Sequence, residues 1–103
     1  MKYRIEISRQ AEIDIREIYS YIAFSLLAPE SALGQIDRIE QKIKILDFMP
    51  EKFRVYEKEP WQSRGLRLMP VDNFIVFYLV DETTVTIIRV MYAGRDIDEE
   101  ISE

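Results

Sequence analysis

The 103 residues contain no cysteine and no histidine. The first absence excludes disulfides and thiolate nucleophiles. The two together remove nearly every ligand set used by zinc and transition metals, so neither a metal nor another cofactor is expected. Without imidazole, any proton transfer falls to carboxylate, lysine, tyrosine or arginine side chains. Long hydrophobic runs are missing as well. The richest stretches, Ile22 to Ala28 and Phe74 to Val80, fall far short of the about 20 apolar residues a membrane helix needs, and no membrane association is expected. The opening MKYRIEIS alternates charged with apolar residues, unlike a secretory signal, and the expected location is the cytoplasm.

An excess of positive charge is also lacking. The formal net charge is −5, which argues against a protein that grips nucleic acid with its whole surface. The charge is unevenly placed. Asp96, Asp98, Glu99, Glu100 and Glu103 make residues 96–103 wholly acidic, so the rest of the chain sums to zero. Residues 52–71 carry Lys52, Arg54, Lys58, Arg64 and Arg67 against only Glu57 and Glu59.

What is present is a chain of ordinary globular make-up, 48% hydrophobic and 32% charged, long enough for a single domain over 1–103 with a modest core. Tyr3, Ile5 and Ile7 alternate with Arg4 and Glu6, the mark of a half-buried strand. Ser8 can cap a helix whose stripe is Ala11, Ile15, Ile18, Ile22 and Leu26, with Asp14 among the residues on its other faces. Pro29 suits the first turn of a second helix, since its missing N–H has no partner there anyway. That helix buries Ala32, Ile36, Ile39, Ile43 and Leu46 and stops at Pro50. Two amphipathic helices so closely joined pack as an antiparallel hairpin.

Residues 51–65 lose all periodicity and read as a loop. Strand character returns over Leu66 to Val71, Phe74 to Val80 and Thr83 to Tyr92, separated by turns at Asp72–Asn73 and Asp81–Glu82, which makes an antiparallel meander. After Gly94, Arg95 to Ser102 read as a short terminal helix. The expected class is α+β, with order β-α-α-β-β-β(-α) and the hairpin on one face of a small, mainly antiparallel sheet in two layers.

Three blocks carry a family likeness. They are Ser8-Arg9-Gln10-Ala11-Glu12-Ile13-Asp14-Ile15 at the start of the first helix, Arg64 to Asp81 through the middle hairpin, and Val85 to Ile97 closing the sheet. An arginine before the middle hairpin, a tyrosine ending the central strand and the ending I-x-R-V-x-x-x-x-R-D-I are typical. On these residues the chain resembles the RelE/ParE superfamily, the toxins of type II toxin–antitoxin pairs known from plasmid stabilisation. The resemblance implies a cognate antitoxin as partner and either DNA gyrase or the ribosome as target.

Within the superfamily, RelE-like members cut messenger RNA on the ribosome and use a cation early in the central hairpin strand and a C-terminal tyrosine or histidine. Those positions fall at Ile75 and near Ile101 here. The Arg95-Asp96-Ile97 ending looks more like the ParE branch, whose members act by binding. RNA cleavage would need a base, an acid and cations for the phosphorane. No residue announces itself as that base, and the catalytic set is unknown. A ribosome-dependent endonuclease is the alternative, and an inactive member kept as an interaction module is a second one.

The candidates for target or antitoxin binding are Arg54, Trp61, Arg64, Arg67 and Arg95. Leu66 and Leu68 are expected on the core face, which would put Arg67 on a sheet face left open by the helices. There it is either a solvated strand arginine or a phosphate or carboxylate contact, and its removal should leave folding nearly intact. An apolar patch on that open face is expected, bounded by Arg54, Arg64, Arg67 and Arg95. Arg95 serves either a surface ion pair or a functional contact. Trp61, the only tryptophan, either caps the core or anchors a partner. Arg89 alternates with Val85, Ile87 and Met91; a cation interrupting an apolar face must be paired, and a carboxylate is the expected partner.

Overall fold

A computed structural model describes residues 2–94. The first strand, β1 (Arg4–Ile7), leads into α1 (Arg9–Ser20), and the Ser8 hydroxyl caps the helix by accepting from the Ala11 N–H at 3.1 Å. The helix widens into one π turn, Tyr21–Ser25. Leu27 then turns the chain with φ of 55°, and α2 (Pro29–Lys44) returns with Pro29 in its first turn. This helix ends before Pro50. Its stripe continues through a tight turn at Ile45–Asp47, where Leu46 is buried, and Pro50 itself opens another at Pro50–Lys52.

The segment read as a loop contains a single helical turn, α3 (Trp61–Arg64), closed by Gly65 at φ of 78°. A glycine is suited to this left-handed helix end, which costs other residues roughly 1 kcal/mol. The meander follows as β2 (Arg67–Val71), β3 (Phe74–Val80) and β4 (Thr84–Tyr92). The sheet order is β1-β4-β3-β2, with β1 parallel to β4 and the other pairs antiparallel. Asp81 fixes the β3–β4 turn by accepting the Thr83 and Thr84 N–H groups, which hold its carboxyl below the usual range. The expected terminal helix at 95–102 lies outside the described residues.

The sheet is apolar on both faces, which explains why β3 reads as a nearly unbroken apolar run rather than an alternating one. One face packs Met69, Val71, Val76, Tyr78, Val85 and Ile87 against Ala11, Ile39, Ile43 and Leu46 of the hairpin and the turn after it. The other gathers Leu66, Leu68, Phe77 and Met91 under Trp61 and Tyr56. The two-layer expectation is therefore extended: α3 and its flanks cover part of the second face. Burying a side chain the size of leucine contributes about 2 kcal/mol, so a cluster of this size justifies ordering the segment above it.

The outer edge of β2 is partly covered. The Leu68 N–H donates to the Arg54 carbonyl and the Tyr56 N–H to the Leu66 carbonyl, so the segment around Arg54–Tyr56 covers the start of the outer edge. Two residues beyond Leu68, at the same outward position, stands Pro70, which has no N–H to offer a stray strand. On the far side β1 reaches only to Ile87 of β4. A register shift at Phe77/Tyr78 pairs Phe77 with Arg89 and Tyr78 with Ile87, so Ile88 is an extra residue in β4.

Candidate functional site

Where β1 ends, α1 takes over. The Ser8 hydroxyl donates to the Ile88 carbonyl, and the Val90 N–H donates to the Asp14 carboxylate at 2.9 Å. The same carboxylate receives Arg89 Nε at 2.8 Å and Nη2 at 3.0 Å, and Gln10 Nε2 at 3.2 Å. The Asp14 side chain is 5% exposed and that of Arg89 17%, so this is a buried, two-pronged ion pair. The expectation that Arg89 has a carboxylate partner holds. The expected alternation does not persist to Met91, because the extra residue in β4 turns Met91 toward the second cluster. Asp14, placed on a polar face by helical spacing, was the missed half of the pair; the stranded cation in an apolar strand was the signal that a carboxylate had to come to it.

Arg67 requires a correction. Its cross-strand partner is Tyr78, and it alternates with Met69 and Val71, so it lies on the helix side of the sheet rather than the open one. Leu66 and Leu68 are the residues that face away from the helices. With apolar residues on both faces, alternation alone did not say which face the hairpin covers. One Arg67 nitrogen donates to the carbonyls of Glu51 at 3.0 Å and Phe53 at 2.6 Å. Beside it the Tyr78 hydroxyl donates to the Pro50 carbonyl at 2.5 Å. Arg67 and Tyr78 thus clamp the 50–53 turn onto the end of the sheet. Burial pushes the Tyr78 hydroxyl up to about 12, against the opposing pull of the Arg67 charge.

Of the remaining candidates, Trp61 and Arg64 belong to the second face. Trp61 is 7% exposed, so it caps the second cluster, and its indole N–H is buried without a hydrogen-bond partner among the described residues. Arg64 is exposed and stacks on the Trp61 ring with its guanidinium carbon 4.9 Å from the centroid. Arg54 is also exposed. Arg95 lies outside the described residues. Arg54, Arg64 and Trp61 share the 54–64 segment, while Arg67 belongs to the turn clamp on the other face.

The expected apolar patch on an open sheet face is likewise corrected, since α3 and its flanks cover part of that face and none of the large exposed apolar side chains among the described residues belongs to its cluster. Exposed apolar side chains gather instead at the hairpin tip, where Tyr21, Phe24, Leu26 and Leu27 protrude, Leu27 at 82% exposure. Between this tip and the end of β4 runs a groove of about 530 Å3 lined by Ile18, Tyr21, Leu26, Phe74 and Tyr92, with Glu17 on its rim and Asp14 in its wall.

A family model described as the ParE toxin of the type II toxin–antitoxin system parDE matches residues 5–97. The chain belongs to that family, and the sequence reading toward the ParE branch agrees. No curated protein gives a match. Among solved structures, a chain of the chromosomal ParDE system from P. aeruginosa superposes with a TM-score of 0.75 at 22% identity, covering 90% of this chain and 98% of that one. A chain of the RelBE2 toxin–antitoxin complex from Mycobacterium tuberculosis gives 0.62 at 18% identity, over 89% and 99% of the two chains. A chain of the archaeal RelE–RelB complex from Pyrococcus horikoshii gives 0.61 at 22%, over 92% and 99%. At these identities the structural likenesses establish the fold, an α+β RelE/ParE-like domain.

Proposed function

We propose that this chain inhibits growth in the cytoplasm by binding a macromolecular target, DNA gyrase by family resemblance, and that a cognate antitoxin neutralises it. The observation that carries the reading is the ParE family match across residues 5–97. The solved relatives whose fold it shares are described as toxin–antitoxin systems, which supports an antitoxin partner here. The geometry favours binding over chemistry. One nitrogen of the Arg67 guanidinium is engaged with two backbone carbonyls, and burial pushes the Tyr78 hydroxyl up to about 12, so both hold the 50–53 turn and Tyr78 is poorly suited to act as a general base near neutral pH.

The test is induction of the chain in a bacterial host, following DNA and protein synthesis separately, with purified protein added to gyrase supercoiling assays. The expected result is early DNA damage or replication arrest with translation continuing at first, and loss of supercoiling activity in vitro. Immediate translation arrest with cuts at defined codons of ribosome-bound message would replace this reading with the nuclease one. Co-expression with the product of a neighbouring small gene should yield a stable complex and restore growth.

A further inference from the structure

A second groove, of about 680 Å3, runs between α1 and α2, and its apolar lining is Ile15, Tyr19, Leu33 and Ile36. Every residue lining it belongs to the two helices, so it lies on the hairpin face turned away from the sheet. Ile15, Tyr19 and Ile36 are half-buried, and Leu33 is 62% exposed. Toward the hairpin tip Phe24, 69% exposed, meets the Tyr19 ring edge-on at 6.2 Å and prolongs the apolar strip. Exposed apolar side chains scattered singly are ordinary, but a strip of five along one groove is a contact surface.

Charge is arranged across this groove. Arg16 lines it from α1, and Asp37 and Glu40 line it from α2. All three are exposed, and among the described residues Arg16 forms an ion pair with neither acid. A face with its cation on one helix and its anions on the other is its own complement. That is the requirement of a two-fold interface, in which every contact occurs twice with the roles exchanged. An axis parallel to the helices lays α1 of each copy over α2 of the other, with the two tips at the same end. Arg16 then meets Asp37 and Glu40 of the second copy, and Phe24 meets its Leu33. An axis across the helices would instead stack α1 on α1 and bring like charges together. We infer that two copies of this chain pair through the outer faces of their hairpins, as a four-helix arrangement with α1 of each against α2 of the other. The 16 residues of α2 span about 24 Å, and two packed helices are about 20 Å wide. Such a face reaches only the lower end of stable interfaces, about 600 Å2 per copy, so the dimer should be reversible. The inference concerns a face away from the 54–64 segment and does not depend on whether gyrase is the target.

Sedimentation of the full-length protein from about 1 to 200 µM tests it, and a monomer–dimer equilibrium with a dissociation constant on the order of 10 µM is expected. Phe24→Ser and Leu33→Ser should each weaken the dimer about tenfold, whereas Tyr21→Ser, in the groove facing β4, should change it less than about twofold. Arg16→Glu and Asp37→Arg should each weaken it about tenfold when alone. Mixed together, these two variants should recover a dissociation constant within about threefold of the wild type, since each then meets an opposite charge on both sides of the axis. A change confined to the folding of one chain gives no such recovery. Failure of the mixture to recover while the wild type dimerises would overturn the inference. So would a dimer dissociated by Tyr21→Ser but not by Leu33→Ser, which would move the contact to the other groove. A wild type that stays monomeric throughout would overturn it as well, and loss of the complex with a neighbouring small gene's product in Leu33→Ser would then give the face to that partner.

Discussion

Asp14 is where α1 is tied to the sheet, and its removal is the sharpest test of how the fold is held. Asp14→Ala deletes two bonds to Arg89, one from the Val90 N–H and one from Gln10. It takes the buried carboxylate away from a largely buried guanidinium and removes the acceptor of the Val90 N–H. Removing one partner of a buried pair costs about 3–5 kcal/mol, and the Val90 N–H falls within that figure. Domains of this size are stable by about 5–15 kcal/mol, so the variant should remain folded with a melting temperature roughly 15–30 °C lower. Asp14→Asn keeps an oxygen for the Val90 N–H but offers Arg89 no charge, and it should fall midway. Asp14→Leu combined with Arg89→Met removes both charges and should be less damaging than Asp14→Ala alone. Urea unfolding followed by tryptophan fluorescence measures the series, because Trp61 is the sole tryptophan and is buried. A loss below about 1 kcal/mol for Asp14→Ala, or strictly additive losses in the double variant, would refute the claim that the pair acts as one unit.

Arg67→Ala should cost about 2 kcal/mol by releasing the Glu51 and Phe53 carbonyls, seen as a lower urea midpoint, so any loss of toxicity in it must be read beside its stability. Arg64→Ala and Arg54→Ala, both exposed, should change stability by no more than about 0.5 kcal/mol, so thermal melts beside growth assays isolate their part in target or antitoxin binding. Tyr78 keeps its proton to about 12 when folded against 10 unfolded, so its contribution is fully present below pH 10 and is lost as pH rises from 10 to 12. Over that window the wild type should lose up to about 3 kcal/mol that Tyr78→Phe does not lose, which paired melts at pH 9 and 11.5 would show. Leu27→Gly should raise the melting temperature by relieving about 1 kcal/mol of left-handed strain at an exposed position; an unchanged or lower value would show that the strain is absorbed elsewhere.

The helices and strands were legible because their signals are local. Ser8, Pro29 and the 3.6-residue stripes mark the hairpin, and β-branched runs broken at Asp72–Asn73 and Asp81–Glu82 mark the meander. The side on which each strand residue lies was not local information. Leu66-Arg67-Leu68-Met69-Pro70-Val71 fits either face once both are buried, and only the covering of Leu68 by Trp61 and Tyr56 decides it. The extra residue at Ile88 is similarly silent, yet it decides that Val90 faces the hairpin cluster and Met91 the second one. The Asp14–Arg89 pair was half visible: burial demanded an anion for Arg89, but 75 residues of separation left its identity among many carboxylates open.

The arginines show why binding residues were harder to locate than structural ones. Arg67 and Arg89 stand out in sequence because each interrupts an apolar strand, and that same interruption forces each to find a partner inside the fold. A cation bonded to carbonyls or to a buried carboxylate is held by the fold first. The surface free to act is made of residues the fold does not need, and its sequence mark is an excess rather than an interruption. From Tyr21 to Ala28 the chain is apolar on nearly every helical face, more than a hairpin packed on one side of a sheet can bury. That surplus emerges as Tyr21, Phe24, Leu26 and Leu27 in solvent. Counting apolar residues against the width of the buried stripe, rather than searching for basic ones, is what points to the hairpin tip.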